Sequence, residues 1–201
     1  MRTFQFLFTF QRTGCENTHR PSNGRSRSQR CWSTRPRRLQ MKETSEIHKA
    51  FMARAIQLSL ENVLSGRGGP FGCVVVKQGK VVAEGVNRVT ATNDPTAHAE
   101  MLAIRAACQI LGCFELKDCD LYTSCEPCPM CFGAIYWARI RRVYFGSLAA
   151  DAARAGFDDS SIYLEIKRPP KQRKIPMIQI MREEALAGFQ AWEEHPGKVR
   201  Y

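Results

Sequence analysis

No apolar run in the sequence approaches the ~20 residues of a membrane-spanning helix, and no fixed period sets up a repeat array, collagen or a coiled coil. Histidine is scarce, at four of 201 residues, and acids are outnumbered, 19 against 30 lysines and arginines. A hydrophobic content of 44% excludes full disorder. The nine cysteines do not form a disulfide framework, because Cys15 and Cys31 stand apart and the seven beyond residue 41 are an odd number. Cys73, Cys108 and Cys113 lie in apolar surroundings that suit free buried thiols, whereas Cys125, Cys128 and Cys131 crowd into one short stretch. That usage suggests a reducing compartment and a bound metal, not a secreted scaffold. Residues 41–201 are numerous enough to bury a core of their own without staples.

The formal net charge of +11 is unevenly spread. Residues 1–40 carry nine arginines against the single acid Glu16, a balance of +8, whereas residues 41–201 carry 21 basic and 18 acidic groups, a balance of +3. A basic stripe for phosphates is therefore not a general property of the body of the chain. Residues 1–40 show no helical or strand periodicity and are expected not to fold. Their Arg/Ser-rich composition fits a disordered extension, a segment upstream of a start at Met41, or an organelle-targeting peptide. The cytoplasm is the expected location.

Beyond Met41, Ile47, Phe51, Ala55 and Leu58 recur every three to four residues and predict a helix that ends at Gly66. Residues 73–77 and 81–85, joined by Lys77-Gln78-Gly79-Lys80, predict a strand hairpin. A helix follows with Thr96 as N-cap and Gly112 just past its end. A strand over 120–124, a helix over 129–139 and a strand over 142–146 come next. A short Ala-rich helix near 149–155, the loop GFDDS, a polar connector KRPPKQRK, a strand over 175–181 and a helix over 182–192 complete the chain. Strands alternating with helices imply an α/β layered domain whose sheet is mixed because of the hairpin. His48 and His195 are read as ordinary packed or surface residues.

Two fragments carry chemistry: His98-Ala99-Glu100 and Pro127-Cys128-Pro129-Met130-Cys131, each opening a predicted helix. Cys128 and Cys131 project from one helix face, and the helix N-terminus favours the thiolates a metal needs. His98, Cys128 and Cys131 give a zinc ion three ligands and leave a fourth position for water, the arrangement of a catalytic site. Glu100, two residues past the histidine, is placed to carry protons between that water, a ring nitrogen and a departing amine. H-x-E followed by P-C-x-x-C is the signature of zinc-dependent deaminases. In the competing arrangement, a closed structural zinc site in a binding module, Cys125 would be the fourth ligand. Cys125 is expected instead to end the preceding strand as a small buried residue.

The stretches GGPFG (68–72), NDPTAHAE (93–100), YTSCEPCPMCFGAIYWAR (122–139), AGFDDS (155–160) and GFQAW (188–192) closely resemble the guanine deaminases of the cytidine-deaminase fold. The resemblance spans nearly all of residues 45–201. It implies a three-layer α/β/α domain around a five-stranded sheet, zinc on His98, Cys128 and Cys131, and attack of a zinc-bound hydroxide on guanine C2 to give xanthine and ammonia. Glu100 is the implied proton shuttle. Asn87 and Asp159 are the implied purine contacts, the aspartate also helping to move protons, and Phe71 and Trp137 are candidate pocket-wall residues. The resemblance further implies a homodimer in which the last segment of each chain crosses to its partner, so that Tyr201 closes the neighbouring pocket. The sequence EEHPGKVR before Tyr201 departs from close family members. A guanosine deaminase shares the Asn, GFDD and C-terminal Tyr features. A tRNA adenosine deaminase shares HAE and PCxMC, but the near-balanced body and the GFDDS loop disfavour it. Neither a membrane nor a nucleic acid is an expected partner.

Overall fold

The computed structural model describes residues 37–201, with side chains from Ser45 onward; of residues 1–40, expected not to fold, 1–36 lie outside them, whereas 37–40 form the start of the first helix, which begins four residues before Met41. The first helix, α1 (Arg37–Leu64), lays Phe51, Met52, Ala55 and Leu58 against the sheet. The hairpin of β1 (Gly72–Lys77) and β2 (Lys80–Val86) follows. Its two turn residues, Gln78 and Gly79, have φ of 51° and 73°, the left-handed pair that matches the twist of a two-residue hairpin. After one turn of helix, α2 (Val89–Thr92), come α3 (Ala99–Leu111), β3 (Cys119–Cys125), α4 (Pro129–Trp137) and β4 (Arg142–Ser147). The chain ends in α5 (Ala149–Arg154), α6 (Ser160–Lys167), a 3₁₀ turn at Pro170–Gln172 and α7 (Arg182–Glu194).

The sheet runs β2-β1-β3-β4, with β1 antiparallel to both neighbours and β3 parallel to β4. Along β1, Val74 and Val76 face α1 together with Tyr122, while Cys73 and Val75 face the opposite layer, where Ala99, Ala103 and Ala107 of α3 and Ile135 of α4 close the core. The period of two in the strand thus splits one valine run between two cores. The small residues at every fourth position of α3 let that helix lie close to the sheet. The three-layer α/β/α expectation holds. On the α1 side, His48 is a packing residue: its ring stacks on Tyr144 at 4.7 Å and its Nδ1 lies 2.5 Å from the Tyr122 hydroxyl.

Two further expectations need correction. The sheet has four strands among the described residues, not five, because Ile175–Met181 forms no ladder. Its alternating apolar residues have no strand edge beside them in a single chain, and Ile175 and Ile178 are each 80% exposed. Strand propensity without a partner leaves the backbone unpaired. The cap of α3 is His98, not Thr96: the backbone N–H and hydroxyl of Thr96 both donate to Asp94 Oδ1 in a turn of their own, and the helix starts three residues later. Gly112, at φ 60°, ends α3 as expected. The helices α2 and α6 were not anticipated.

Candidate metal and active site

Both half-motifs sit at helix N-termini. His98 is the extended N-cap of α3 (φ −73°, ψ 156°), and Cys128 is the extended N-cap of α4 (φ −65°, ψ 167°), with Pro129 in the first turn where no N–H is needed. Cys131, three residues beyond the N-cap in the first turn of α4, turns back toward Cys128. The sulfurs of Cys128 and Cys131 lie 3.5 and 3.6 Å from His98 Nδ1, and the three ligating atoms lie within 4.8 Å of one another. Zn–N and Zn–S bonds at tetrahedral angles would separate nitrogen from sulfur by roughly 3.6 Å. The donor set therefore fits one zinc ion. Among the described residues no fourth His, Cys, Asp or Glu joins this group. Cys125 is buried at the end of β3, as expected, with its sulfur 3.8 Å from the Leu148 carbonyl oxygen. The geometry thus favours an open site over a closed one.

The local electrostatics suit a cation. Hydrogen bonds from the Cys131 thiol and from His98 pull the Cys128 thiol down to about 4. The Cys128 thiolate and burial then hold the proton on Cys131. His98 is raised by the same hydrogen bond to Cys128. Three donors that hold protons against one another in this way become mutually compatible once a divalent charge sits between them.

Glu100 is 5% exposed on the first turn of α3. Thr123, fully buried on β3, donates from its hydroxyl to Glu100 Oε1 at 3.0 Å, and the Cys131 thiol lies 3.5 Å from Oε2. Burial raises the carboxyl above its ordinary range. The carboxylate is therefore held beside the three-donor cluster and is not one of its members.

His98, Glu100 and Cys128 line a cavity of about 560 Å³ whose walls also include Phe71, Asn87 and Asp159. Asn87 is 7% exposed, and its Oδ1 accepts from the backbone N–H groups of Gly69 and Val89. Phe71 meets Phe157 edge to face at 5.0 Å. Of the two adjacent acids, exposed Asp158 accepts from the Ser160 backbone N–H and is lowered by the bonds it takes from Ser160. Asp159 makes no capping bond, and burial, then the charge of Cys128, raises it. Trp137 and Tyr201 are not brought to this cavity within one chain. They lie 5.8 Å apart, ring to ring, in a separate hollow walled by α7. Sequence reasoning missed Thr123 and Phe157. Phe157 stood in the quoted GFDDS loop, whereas the role of Thr123 depends on β3 running beside α3 and carries no local signal.

Residues 45–147 match the cytidine and deoxycytidylate deaminase zinc-binding region. A guanine deaminase of Bacillus subtilis is 56% identical over 154 residues, 77% of this chain and 99% of that one. The crystal structure of guanine deaminase from Bacillus subtilis superposes with a TM-score of 0.75 at 56% identity, covering 77% of this chain and 98% of that chain. A tRNA-specific adenosine deaminase of Agrobacterium fabrum is 51% identical, but over 78 residues, 39% of this chain and 51% of that protein. The tRNA enzyme matches the smaller part of this chain, whereas the first relative matches most of it. The chain belongs to the guanine deaminase family, within the zinc-binding deaminases of cytidine and deoxycytidylate type.

Proposed function

We propose that this protein hydrolyses guanine to xanthine and ammonia, with His98, Cys128 and Cys131 as the zinc ligands and Glu100 as the proton carrier. The observation that carries the reading is the juxtaposition of an open three-donor cluster with a buried, uncoordinated carboxylate. A zinc ion bound there lowers the pKa of its water and so supplies the nucleophile at neutral pH. Net, the oxygen of water adds at C2 and ends as the C2 carbonyl while the C2–NH₂ bond breaks, so both protons of the water must leave its oxygen, the first for a ring nitrogen and the second for the departing amine. Glu100, raised by burial and held by Thr123, takes each in turn and hands it on. Asn87 and Asp159 present an amide and a carboxyl to the purine edge, which has both acceptors and N–H donors. Phe71 forms an apolar wall for its ring.

The substrate closure comes from a second copy. The exposed Trp192, Phe189, Ile178 and Ile180 belong to an arm none of whose own residues is buried. In the dimer we propose, that arm lies on the partner and Tyr201 caps the partner's cavity, with Trp137 in its wall. The free thiols of Cys73, Cys108, Cys119, Cys125, Cys128 and Cys131 accord with a reducing, cytoplasmic setting. No helix among the described residues is long and apolar enough to cross a membrane. Ammonia release from guanine, guanosine, adenine, cytosine and an RNA stem-loop tests the substrate: guanine is expected to turn over fastest. Preference for guanosine would move the reading to the nucleoside. Zinc binding without any product would reduce it to a binding module.

A further inference from the structure

Asn62 lies in the last turn of α1, outside both half-motifs, and is 4% exposed. Burying a primary amide is costly unless its hydrogen bonds are met. Here they are met in an unusual way. One nitrogen, Asn62 Nδ2, donates to two main-chain oxygens from separate segments, Gly69 O at 2.9 Å and Asn87 O at 2.8 Å. The first segment leads into Phe71 and the second is Asn87 itself. Around this joint, the Asn87 N–H donates to Phe71 O at 3.1 Å, the Gly69 N–H donates to Asn87 Oδ1 at 3.4 Å, and the Arg88 N–H donates to Ala97 O at 2.9 Å, next to His98. Gly68 makes the close approach possible, because a Cβ there would run into the carbonyl oxygen of Asn87 and the amide nitrogen of Asn62.

We propose that Asn62 is a positioning residue for substrate binding, a clamp that sets the spacing between the loop carrying Phe71 and the strand end carrying Asn87. The proposal rests on the reading of Asn87 as a purine contact. The clamp touches neither the metal ligands nor Glu100, so loosening it alters how the base is held and leaves the proton carrier in place. Asn62→Asp nearly preserves volume but replaces the donor with an acceptor facing two carbonyl oxygens. Asn62→Ser keeps one short donor.

The experiment measures kcat, KM for guanine and zinc content for Asn62→Asp, Asn62→Ser, Asn87→Ala and the double variant Asn62→Asp/Asn87→Ala, all in the full chain. Expected are a KM raised about tenfold or more for Asn62→Asp, a smaller rise for Asn62→Ser, kcat within a few-fold and zinc unchanged. The double variant should be little worse than Asn87→Ala, since both changes spoil one contact. If Asn87→Ala raises KM but the Asn62 variants lower only the melting temperature, or only kcat, the clamp is overturned and the Asn87 reading survives. If Asn87→Ala leaves KM unchanged, the Asn87 reading fails and the clamp falls with it.

Discussion

The stretch from α1 to β4 and the stretch from α5 onward are built on opposite terms. Among the described residues every buried apolar residue lies between Ala55 and Ala138, and both hydrophobic clusters belong to the first stretch. The helices α5, α6 and α7 contain no buried residue, although the second stretch offers Ile162, Ile175, Ile178, Ile180, Phe189 and Trp192, all of them exposed. A solvent-facing arm this apolar is not a stable end state for a single chain. The contrast teaches that the first half is specified by contacts within the chain, while the arm presents an apolar surface that the second copy we propose would cover. The chemistry needs a rigid cluster, which the first half supplies, and a removable cover, which an arm from outside can supply.

The largest expected effect lies in the first half. His98→Ala should lose zinc and all turnover together. Glu100→Gln should keep zinc near one per chain while kcat falls by about 10²- to 10⁴-fold, the range of general acid–base catalysis. Metal analysis beside steady-state kinetics separates the two, and near-parental turnover in Glu100→Gln would refute the proton-carrier role. Next in size is a pair of matched truncations. Leu121→Ala, at a fully buried position, should cost about 2–5 kcal/mol in denaturant unfolding. Ile178→Ala should leave the unfolding of an isolated chain almost unchanged and weaken association instead, as read by sedimentation at falling protein concentration. An Ile178 variant with unaltered association would break the contrast between the halves.

A third test asks whether the cover acts between chains. Deleting Tyr201 should lower kcat/KM for guanine about tenfold with zinc retained, consistent with the loss of one buried aromatic contact. Mixing and refolding that truncated chain with a Glu100→Gln chain, each poorly active alone, should restore turnover, because the intact Tyr201 of the second closes the working site of the first. No recovery on mixing would place the cover within its own chain.

The two halves also differed in how legible they were. Cys128 and Cys131 were readable as a pair because their geometry is local: an N-cap and a residue one turn on converge wherever a helix begins, and Pro129 marks that beginning; His98, 30 residues away, was readable only through its own short motif with Glu100. The strands of the first half were readable because Val74 and Val76 alternate with Cys73 and Val75 between two faces. Residues 175–181 carry an equally good strand pattern, yet pattern reports only what a segment could pair with, and one chain gives it no edge. The N-cap shifted from Thr96 to His98 because Asp94 captured the threonine in a turn, a competition between side-chain acceptors that spacing does not resolve. Asn62 and Thr123 were illegible for a different cause. Each acts on a residue at least 23 positions away, and nothing in its own neighbourhood announces the partner.

The smallest effect expected comes from the surface of the first half and checks that its stability resides in the core. Arg54 of α1 donates two bonds of 2.8 Å to the carboxylate of Glu84 on β2. The hydrogen bond from Arg54 holds Glu84 below its ordinary range despite the opposing effect of burial. A carboxyl depressed in the folded state stabilises the fold above its unfolded pKa and loses that contribution as pH falls through the folded value. With both side chains about one-third exposed, solvent screening limits the pair to about 0.5 kcal/mol. Glu84→Gln should therefore lower stability by about that amount at pH 7, by less at pH 4, and by nothing measurable once the native carboxyl is protonated. Raised salt should shrink the difference at pH 7. A loss of several kcal/mol would mean that α1 is fastened to the sheet by its rim and not by Ala55, Leu58 and Tyr122 beneath it, and the division between a self-sufficient core and a borrowed arm would have to be redrawn around that rim.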